Sequence, residues 1–217
     1  MVTKRSGLVA LAAALLLVMA LAACTGLGLG LTGPYEETFD EVGSWGAGQD
    51  INAEGDVVNG RYEFLVKADL GLFWSTAGER LEDGVYQVEA TQIDGPLDNG
   101  YGMMFRVNSD TNSFYLFEVS GDGYIWIGVC EENCAEERPL VENGWFASDA
   151  VNGGLDATNV LRVRAEGGNM IFFVNDQEVA RVTDTTLNRG DIGIMVETLG
   201  QSGVLVAFDN FTVTPLE

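Results

Sequence analysis

Two glutamates within apolar runs are the residues of this sequence that could perform acid–base chemistry. Glu118, in Phe-Glu-Val, and Glu197, in Val-Glu-Thr, are the acids embedded late in apolar runs. Glycoside hydrolysis requires two such carboxyl groups, roughly 5 to 10 Å apart. The chain has no histidine, which excludes Ser-His-Asp and Cys-His catalysis and disfavours zinc or copper sites. Either glutamate could instead form a structural ion pair with Arg106, so catalysis stays open and a role without catalysis is favoured.

Aromatic side chains form a second candidate site. Tyr124 and Trp126 are two residues apart in one predicted strand, and therefore share a face. Tyr115 and Arg106 from the preceding hairpin are expected on that face, although a register slip of one residue reverses the assignment. Together with Trp145, these residues form the candidate carbohydrate-binding set, because sugars stack their C–H faces on aromatic rings. The alternative is that the rings fill a core between two sheets, where aromatic side chains bury large areas.

The amino terminus has the pattern of a targeting signal. Lys4 and Arg5 precede an apolar run over residues 7–23, which ends in Leu-Ala-Ala-Cys at Cys24. This pattern is typical of a secretory signal peptide, and a spanning helix would need about 20 apolar residues. The ending resembles the bacterial lipobox, which implies that Cys24 is lipidated with diacylglycerol and an acyl chain such as palmitate; an ordinary signal peptide with a chance cysteine is the alternative. The expected divisions are a signal peptide at 1–23, a lipidated cysteine and glycine-rich tether at 24–34, and one domain at 35–217.

Charge and cysteine content restrict the partners and the compartment. The net charge of −22 repels nucleic-acid phosphates and anionic lipid headgroups, so nucleic acid is not expected as a partner and the membrane is reached through the lipid. The expected location is extracytoplasmic, at the cell membrane or cell surface. Cys130 and Cys134 are four residues apart, and outside the cytoplasm a disulfide between them is favoured, across the tip of a hairpin.

The remaining chain has the pattern of a sheet protein. From Tyr35 onward there is no sustained helical period, whereas short apolar and alternating runs recur between turn residues. Asp98-Asn99-Gly100 and Gly121-Asp122-Gly123 are typical turns, because Gly, Asn and Asp tolerate positive φ. The pattern predicts an all-β antiparallel sandwich or barrel, with a stapled hairpin end and a long loop over 131–159. The predicted strands are 61–67, 71–76, 84–93, 101–107, 114–119, 124–129, 160–165, 170–174, 178–182, 192–197 and 204–213.

Several stretches in order resemble the concanavalin A-like jelly rolls. They are 101–107, 112–124, 159–164, 173–180, 190–194 and 207–211, and they are similar to the laminin-G-like lectin domains and to the domain-of-unknown-function family associated with 3-keto-disaccharide hydrolases. The resemblance implies a jelly-roll β-sandwich over about 39–213. It also implies a structural calcium ion where the first and last strands meet, with Asp40 and Asp209 as ligands; ordinary turn capping by these residues is the alternative. The Glu-x-Asp-x-x-Glu motif of the glucanase branch is absent.

These observations predict a lipid-anchored lipoprotein whose sandwich binds a glycan non-covalently through a concave aromatic and polar face. A glycoside hydrolase of the 3-keto-disaccharide type, using acids such as Glu118, is the first alternative. An envelope scaffold that makes only protein contacts is the second. No cofactor other than calcium is expected.

Overall fold

The structure is a computed structural model and describes residues 33–41, 43–141 and 144–216. The predicted signal peptide, the lipidation site Cys24 and most of the tether lie outside these ranges. Within the described ranges there is no helix, and so no helix long and apolar enough to span a bilayer.

Sixteen strands make up the secondary structure of the described residues. They are β1 (Tyr35–Glu37), β2 (Gly48–Gln49), β3 (Ala53–Val57), β4 (Tyr62–Val66), β5 (Leu70–Thr76), β6 (Gly84–Asp94), β7 (Gly100–Asn108), β8 (Ser113–Ser120), β9 (Tyr124–Glu131), β10 (Glu136–Pro139), β11 (Phe146–Ala147), β12 (Thr158–Glu166), β13 (Asn169–Val174), β14 (Gln177–Thr183), β15 (Asp191–Leu199) and β16 (Val204–Pro215).

The strands form two antiparallel sheets that pack face to face. The nine-stranded sheet has the order β14-β13-β12-β6-β16-β4-β3-β2, and β1 pairs with β16. The seven-stranded sheet has the order β10-β9-β8-β7-β15-β5, and β11 pairs with β9. The predicted all-β antiparallel sandwich is therefore confirmed.

Alternating side chains build the core between the sheets. In β4, Tyr62, Phe64 and Val66 are buried, and the residues between them are more exposed. In β12, Leu161, Val163 and Ala165 point into the core while the two arginines between them face outward, as the period of two requires. The nine-stranded sheet thus has one buried face and one face in contact with solvent.

The seven-stranded sheet differs because its central strands are buried on both faces. Nearly every residue of β7 and β8 is buried. One face contributes to the main core, and the other, which we call the outer face, carries a small apolar cluster of its own. That cluster contains Met104, Val107, Phe114, Leu116, Cys130 and Met195.

A disulfide closes the hairpin between β9 and β10. Cys130 and Cys134 are bonded, with their Cα atoms 4.6 Å apart. Glu131 in β9 pairs with Glu136 in β10, so the disulfide lies at the hairpin tip, as predicted. The segment that follows, predicted as a long loop, contributes the short strands β10 and β11 to the edge of the seven-stranded sheet.

Candidate functional site

A depression lies at one end of the outer face of the seven-stranded sheet. It has a volume of about 180 Å³. The loop before β7, the turn between β8 and β9 and the end of β15 meet there, because the start of β7 and the end of β8 lie at the same end of an antiparallel pair. The lining residues are Asp98, Ser120, Asp122, Tyr124, Trp145 and Leu199.

Polar groups fix the shape of the depression. Ser120 Oγ donates to an Asp122 carboxylate oxygen and accepts the Tyr124 backbone N–H at 3.0 Å. Gln201 Nε2 donates to Asp98 Oδ1 at 3.3 Å. The Tyr124 side chain is 41% exposed. The depression therefore presents an aromatic ring beside two carboxylates.

Glu118 and Glu197 lie on the same outer face, next to this depression. Each is two residues before a lining residue of its own strand, namely Ser120 and Leu199, and so shares that residue's face. Glu197 pairs with Gly100 of β7, and the Glu118 carboxyl lies against the same Gly100, in a space that a Cβ there would fill. The two acids, predicted separately from sequence, are thus brought to one glycine from strands on either side of it.

The Glu118 side chain is fully buried and has no hydrogen-bond partner. Neither carboxyl oxygen is within bonding distance of a donor in the part of the chain that the structure describes. Burial, and next the negative charges of Glu197 and Glu137, raise the pKa of Glu118 well above its usual value. Burial and the charge of Glu137 raise the pKa of Glu197 to about 7. Both acids therefore hold protons at a higher pH than ordinary glutamates.

Two tryptophans adjoin these acids. Trp126 is directly opposite Glu118 in the β8–β9 pair. Its ring lies 5.9 Å from that of Trp145, centroid to centroid. The Trp145 ring lies 3.2 Å from the position that a Cβ on Gly100 would take, and Trp126 Nε1 is buried with no acceptor among the described residues. The predicted sharing of one face by Tyr124 and Trp126 is thus observed, and Trp145 joins them.

The structure does not place Arg106 and Tyr115 on this face, which corrects their prediction as carbohydrate-binding residues. A β-bulge shifts the β7–β8 register between Phe105 and Asn108, and Arg106 within it has φ of 53°. Arg106 is fully buried and donates to the carbonyls of Gly167 and Leu187, each at 2.9 Å, and to Asp83 at 2.8 Å. It pairs with neither Glu118 nor Glu197.

Tyr115 has the opposite parity to Glu118 on β8 and faces the core. Its ring stacks on Phe105 at 5.2 Å, and its hydroxyl donates to Asp184 Oδ1 at 2.7 Å. The predicted register was off by one residue, and such a slip places Tyr115 on the opposite face of the sheet.

The proposed calcium ligands Asp40 and Asp209 lie near each other. The expected pairing of the first and last strands is present, because Tyr35 pairs with Val213. Burial and the charge of Asp40 raise the pKa of Asp209. These are two carboxylates, whereas calcium takes six to eight oxygens, so carbonyl oxygens and water would have to complete the set. The calcium site stays a prediction.

One other group of potential metal ligands occurs among the described residues, and its chemistry does not suit a metal. It consists of Cys130, Cys134 and Glu137. The two sulfur atoms are bonded to each other, so neither offers a thiolate. Glu137 is instead notable as the third acid near Glu118.

Four residues of the site were not predicted from the sequence: Asp98, Ser120, Asp122 and Leu199. Asp98-Asn99-Gly100 and Gly121-Asp122-Gly123 were predicted only as turns. The signal was nevertheless present: one turn precedes β7 and the other follows β8, and antiparallel neighbours bring these two points to the same edge of the sheet.

Comparison with solved structures places the fold among proteins whose names refer to carbohydrates. Carbohydrate binding module CBM66 from Bacillus subtilis superposes with a TM-score of 0.53 and 18% identity, over 82% of this chain and 95% of that one. A β-glucanase from Bacillus licheniformis gives 0.61 and 10%, over 85% and 99%. The Crh5 transglycosylase gives 0.66 and 9%, over 88% of each chain. The fold is a concanavalin A-like jelly roll.

This fold confirms the jelly roll that the sequence resemblance implied. No protein-family profile matches the chain, and no curated protein matches it in sequence. At these identities the structural likeness describes the jelly roll alone, and the function is argued from the site.

Proposed function

We propose that this protein is a lipid-anchored extracytoplasmic lipoprotein whose jelly roll binds a glycan non-covalently at the depression lined by Tyr124 and Trp145. The observation that carries the proposal is an aromatic pair beside Asp98, Asp122 and the Ser120 hydroxyl in one open hollow. Aromatic faces take the C–H surface of a sugar ring, and carboxylates accept its hydroxyl protons. The names of the structural neighbours, a carbohydrate binding module and glucanases, support a carbohydrate ligand.

A glycan array probed with the full chain tests this proposal. We expect binding to at least one glycan, and at least tenfold weaker binding when Trp145→Ala or Tyr124→Ala removes a ring. Trp74→Ala is the matched control, because Trp74 is 41% exposed on β5, at the opposite edge of the same sheet. Equal losses for Trp74→Ala and Trp145→Ala, or no glycan bound at all, would contradict the site.

The anchor is tested separately from the sugar site. The amino-terminal apolar run ends in Leu-Ala-Ala-Cys, and this pattern supports lipidation of Cys24. We expect the protein to fractionate with membranes and to incorporate a labelled acyl chain, and both properties to be lost in Cys24→Ala. A chain that stays at the membrane without a label would contradict the lipidation.

Glycoside hydrolysis is the second candidate function, and the Glu118–Glu197 arrangement favours it. Two acids with raised pKa values next to an open hollow resemble the acid and base of a glycosidase in kind. Release of reducing sugar from any bound glycan, abolished by both Glu118→Gln and Glu197→Gln, would support it. Binding without turnover in the wild type would leave the non-covalent function alone.

A further inference from the structure

The site gathers acidic groups without a basic side chain to balance them. Asp98 and Asp122 line the depression, and Glu118 and Glu197 adjoin it. The charge of Glu137 acts on both glutamates. Every described Lys and Arg except Arg80 pairs with an acid elsewhere in the fold. Arg80 lines a different hollow, beside Asp191. The negative charge at the site is therefore uncompensated within the described ranges.

Glu118 distinguishes this cluster from an ordinary acidic surface. Its side chain is fully buried, and neither carboxyl oxygen has a hydrogen-bond partner in the described part of the chain. A buried polar group without a partner is costly. The carboxyl lies against Gly100, and the Trp145 ring of the depression lies beside the same glycine. The arrangement is one that a positively charged ligand would stabilise.

The rings decide which kind of cation fits. Tyr124 and Trp145 line the hollow, and Trp126 packs on Trp145. Aromatic faces attract organic ammonium groups, whereas calcium seeks six to eight oxygen ligands. The lining side chains offer carboxylates and hydroxyls but no amide or basic group, so the site is rich in acceptors and suits a ligand rich in N–H donors.

We propose that the glycan bound at this depression carries a free, positively charged amino group, so that the ligand class is an amino sugar without N-acetylation. The ammonium lies between the rings of Tyr124 and Trp145, facing the carboxylates of Asp98 and Asp122, and its positive charge favours the ionised forms of Glu118 and Glu197 on the adjoining face. This inference rests on the proposed function and specifies its ligand.

The test compares each glycan with itself in two chemical forms. The full chain is screened, in chelator and at about 150 mM salt, against glycans with a free amine and against the same glycans N-acetylated. The best pair is then measured by isothermal titration calorimetry. We expect the free-amine form to bind at least tenfold tighter. Asp122→Asn and Glu197→Gln should reduce this preference at least threefold each, while Glu166→Gln, an acid on the nine-stranded sheet, should leave it unchanged.

The possible results distinguish the amino-sugar inference from the proposed glycan binding on which it rests. Equal affinity for both forms, with glycan binding intact, overturns the amino-sugar inference and leaves the proposed function standing. Binding of no glycan overturns both. An equal loss in Glu166→Gln, or trilysine binding as tightly as the amino sugar, means that net charge alone attracts the ligand, and it too overturns the inference. Circular dichroism of each variant confirms that the fold is retained.

Discussion

One arginine and one glutamate are fully buried in the seven-stranded sheet, and they differ in how their polar atoms are hydrogen-bonded. Arg106, near one end of β7, donates to two backbone carbonyls and to Asp83, and only its Nε lacks a partner. Glu118, on β8 toward the other end, has no hydrogen-bond partner for either oxygen among the described residues. One sandwich thus contains a satisfied buried cation and an unsatisfied buried acid.

The satisfied end holds the fold together. Arg106 connects the residue before β6, the turn between β12 and β13, and the loop before β15, all of which are distant in sequence. Nearby, Asp184 accepts from Tyr115 and Arg138. Burial alone would raise the pKa of Asp184, but these hydrogen bonds and those from Thr186 lower it to about 2. Charged groups at this end are stabilised in their charged form.

At the other end, a proton or a bound ligand would stabilise acids that the described residues leave without hydrogen-bond donors. The pKa values of Glu118 and Glu197 move up, whereas that of Asp184 moves down. A fold that can satisfy a buried arginine three times over leaves a glutamate without one donor, which fits a site that receives its partner from outside.

Of the substitutions considered at the two ends, removal of Arg106 should have the largest effect on the free energy of unfolding. Arg106→Ala leaves the carbonyls of Gly167 and Leu187 without a donor and opens a cavity, and we expect a loss of about 3–5 kcal/mol in the free energy of unfolding. Urea denaturation at neutral pH measures it.

Arg164→Ala is the matched control for that measurement. Its side chain is 45% exposed on the outside of the nine-stranded sheet, where it pairs with Glu166. Exposed pairs contribute at most about 1 kcal/mol. If the two substitutions cost the same, Arg106 does not hold its end of the sandwich together.

Removing an acid at the other end should stabilise the protein, and only above acidic pH. The pKa of Glu197 is raised from 4.5 to about 7 in the folded state, so between these values the folded chain binds more protons than the unfolded one. The contribution of protonated Glu197 to the free energy of unfolding, on the order of 3 kcal/mol, is fully present below pH 4.5 and is lost as the pH rises toward 7 and above. Glu197→Gln should abolish this loss, and Glu118→Gln should act in the same direction.

Unfolding free energies measured between about pH 4 and 8 check this sign. The groups that face one another here are Glu118 on β8, Glu197 on β15 and Glu137 on β10, and all three have raised pKa values. Glu166→Gln serves as the control and should leave the pH dependence unchanged. Parallel curves for the wild type and Glu197→Gln would show that the acids are not coupled to folding.

The sequence predicted most of the fold because its strong strands alternate. The eleven predicted strands correspond to β4–β9 and β12–β16. The weak strands were missed for local reasons: β2 and β11 have two residues each, and β3, Ala-Glu-Gly-Asp-Val, has little apolar character and pairs with β4. Such strands form because a neighbouring strand offers an edge, which one segment of sequence does not reveal.

The site was predicted less completely because it depends on register between distant strands. Alternation placed Tyr124 and Trp126 together correctly, since both belong to one strand. The positions of Arg106 and Tyr115 depended on a bulge that the sequence does not mark. Glu118 and Glu197 were identified by their apolar surroundings, but their meeting at Gly100 follows from the pairing of β15 with β7, across nearly a hundred residues of chain.

Tyr115→Phe should give the smallest effect and a distinct acid signature. The tyrosine hydroxyl donates to Asp184 and accepts the Leu187 N–H at 3.2 Å, so its removal should cost about 1–2 kcal/mol near neutral pH. Asp184 has a depressed pKa of about 2 against 3.8, so its stabilisation is present above pH 3.8 and is lost as the pH falls toward 2. Without the hydroxyl, the pKa of Asp184 should rise and acid unfolding should begin at a higher pH. Tyr101→Phe is the control, because that buried hydroxyl accepts a long hydrogen bond from Asn159, at 3.5 Å, and is not bonded to a carboxylate of the described residues. An identical acid shift in both variants would contradict the role of the Tyr115–Asp184 bond.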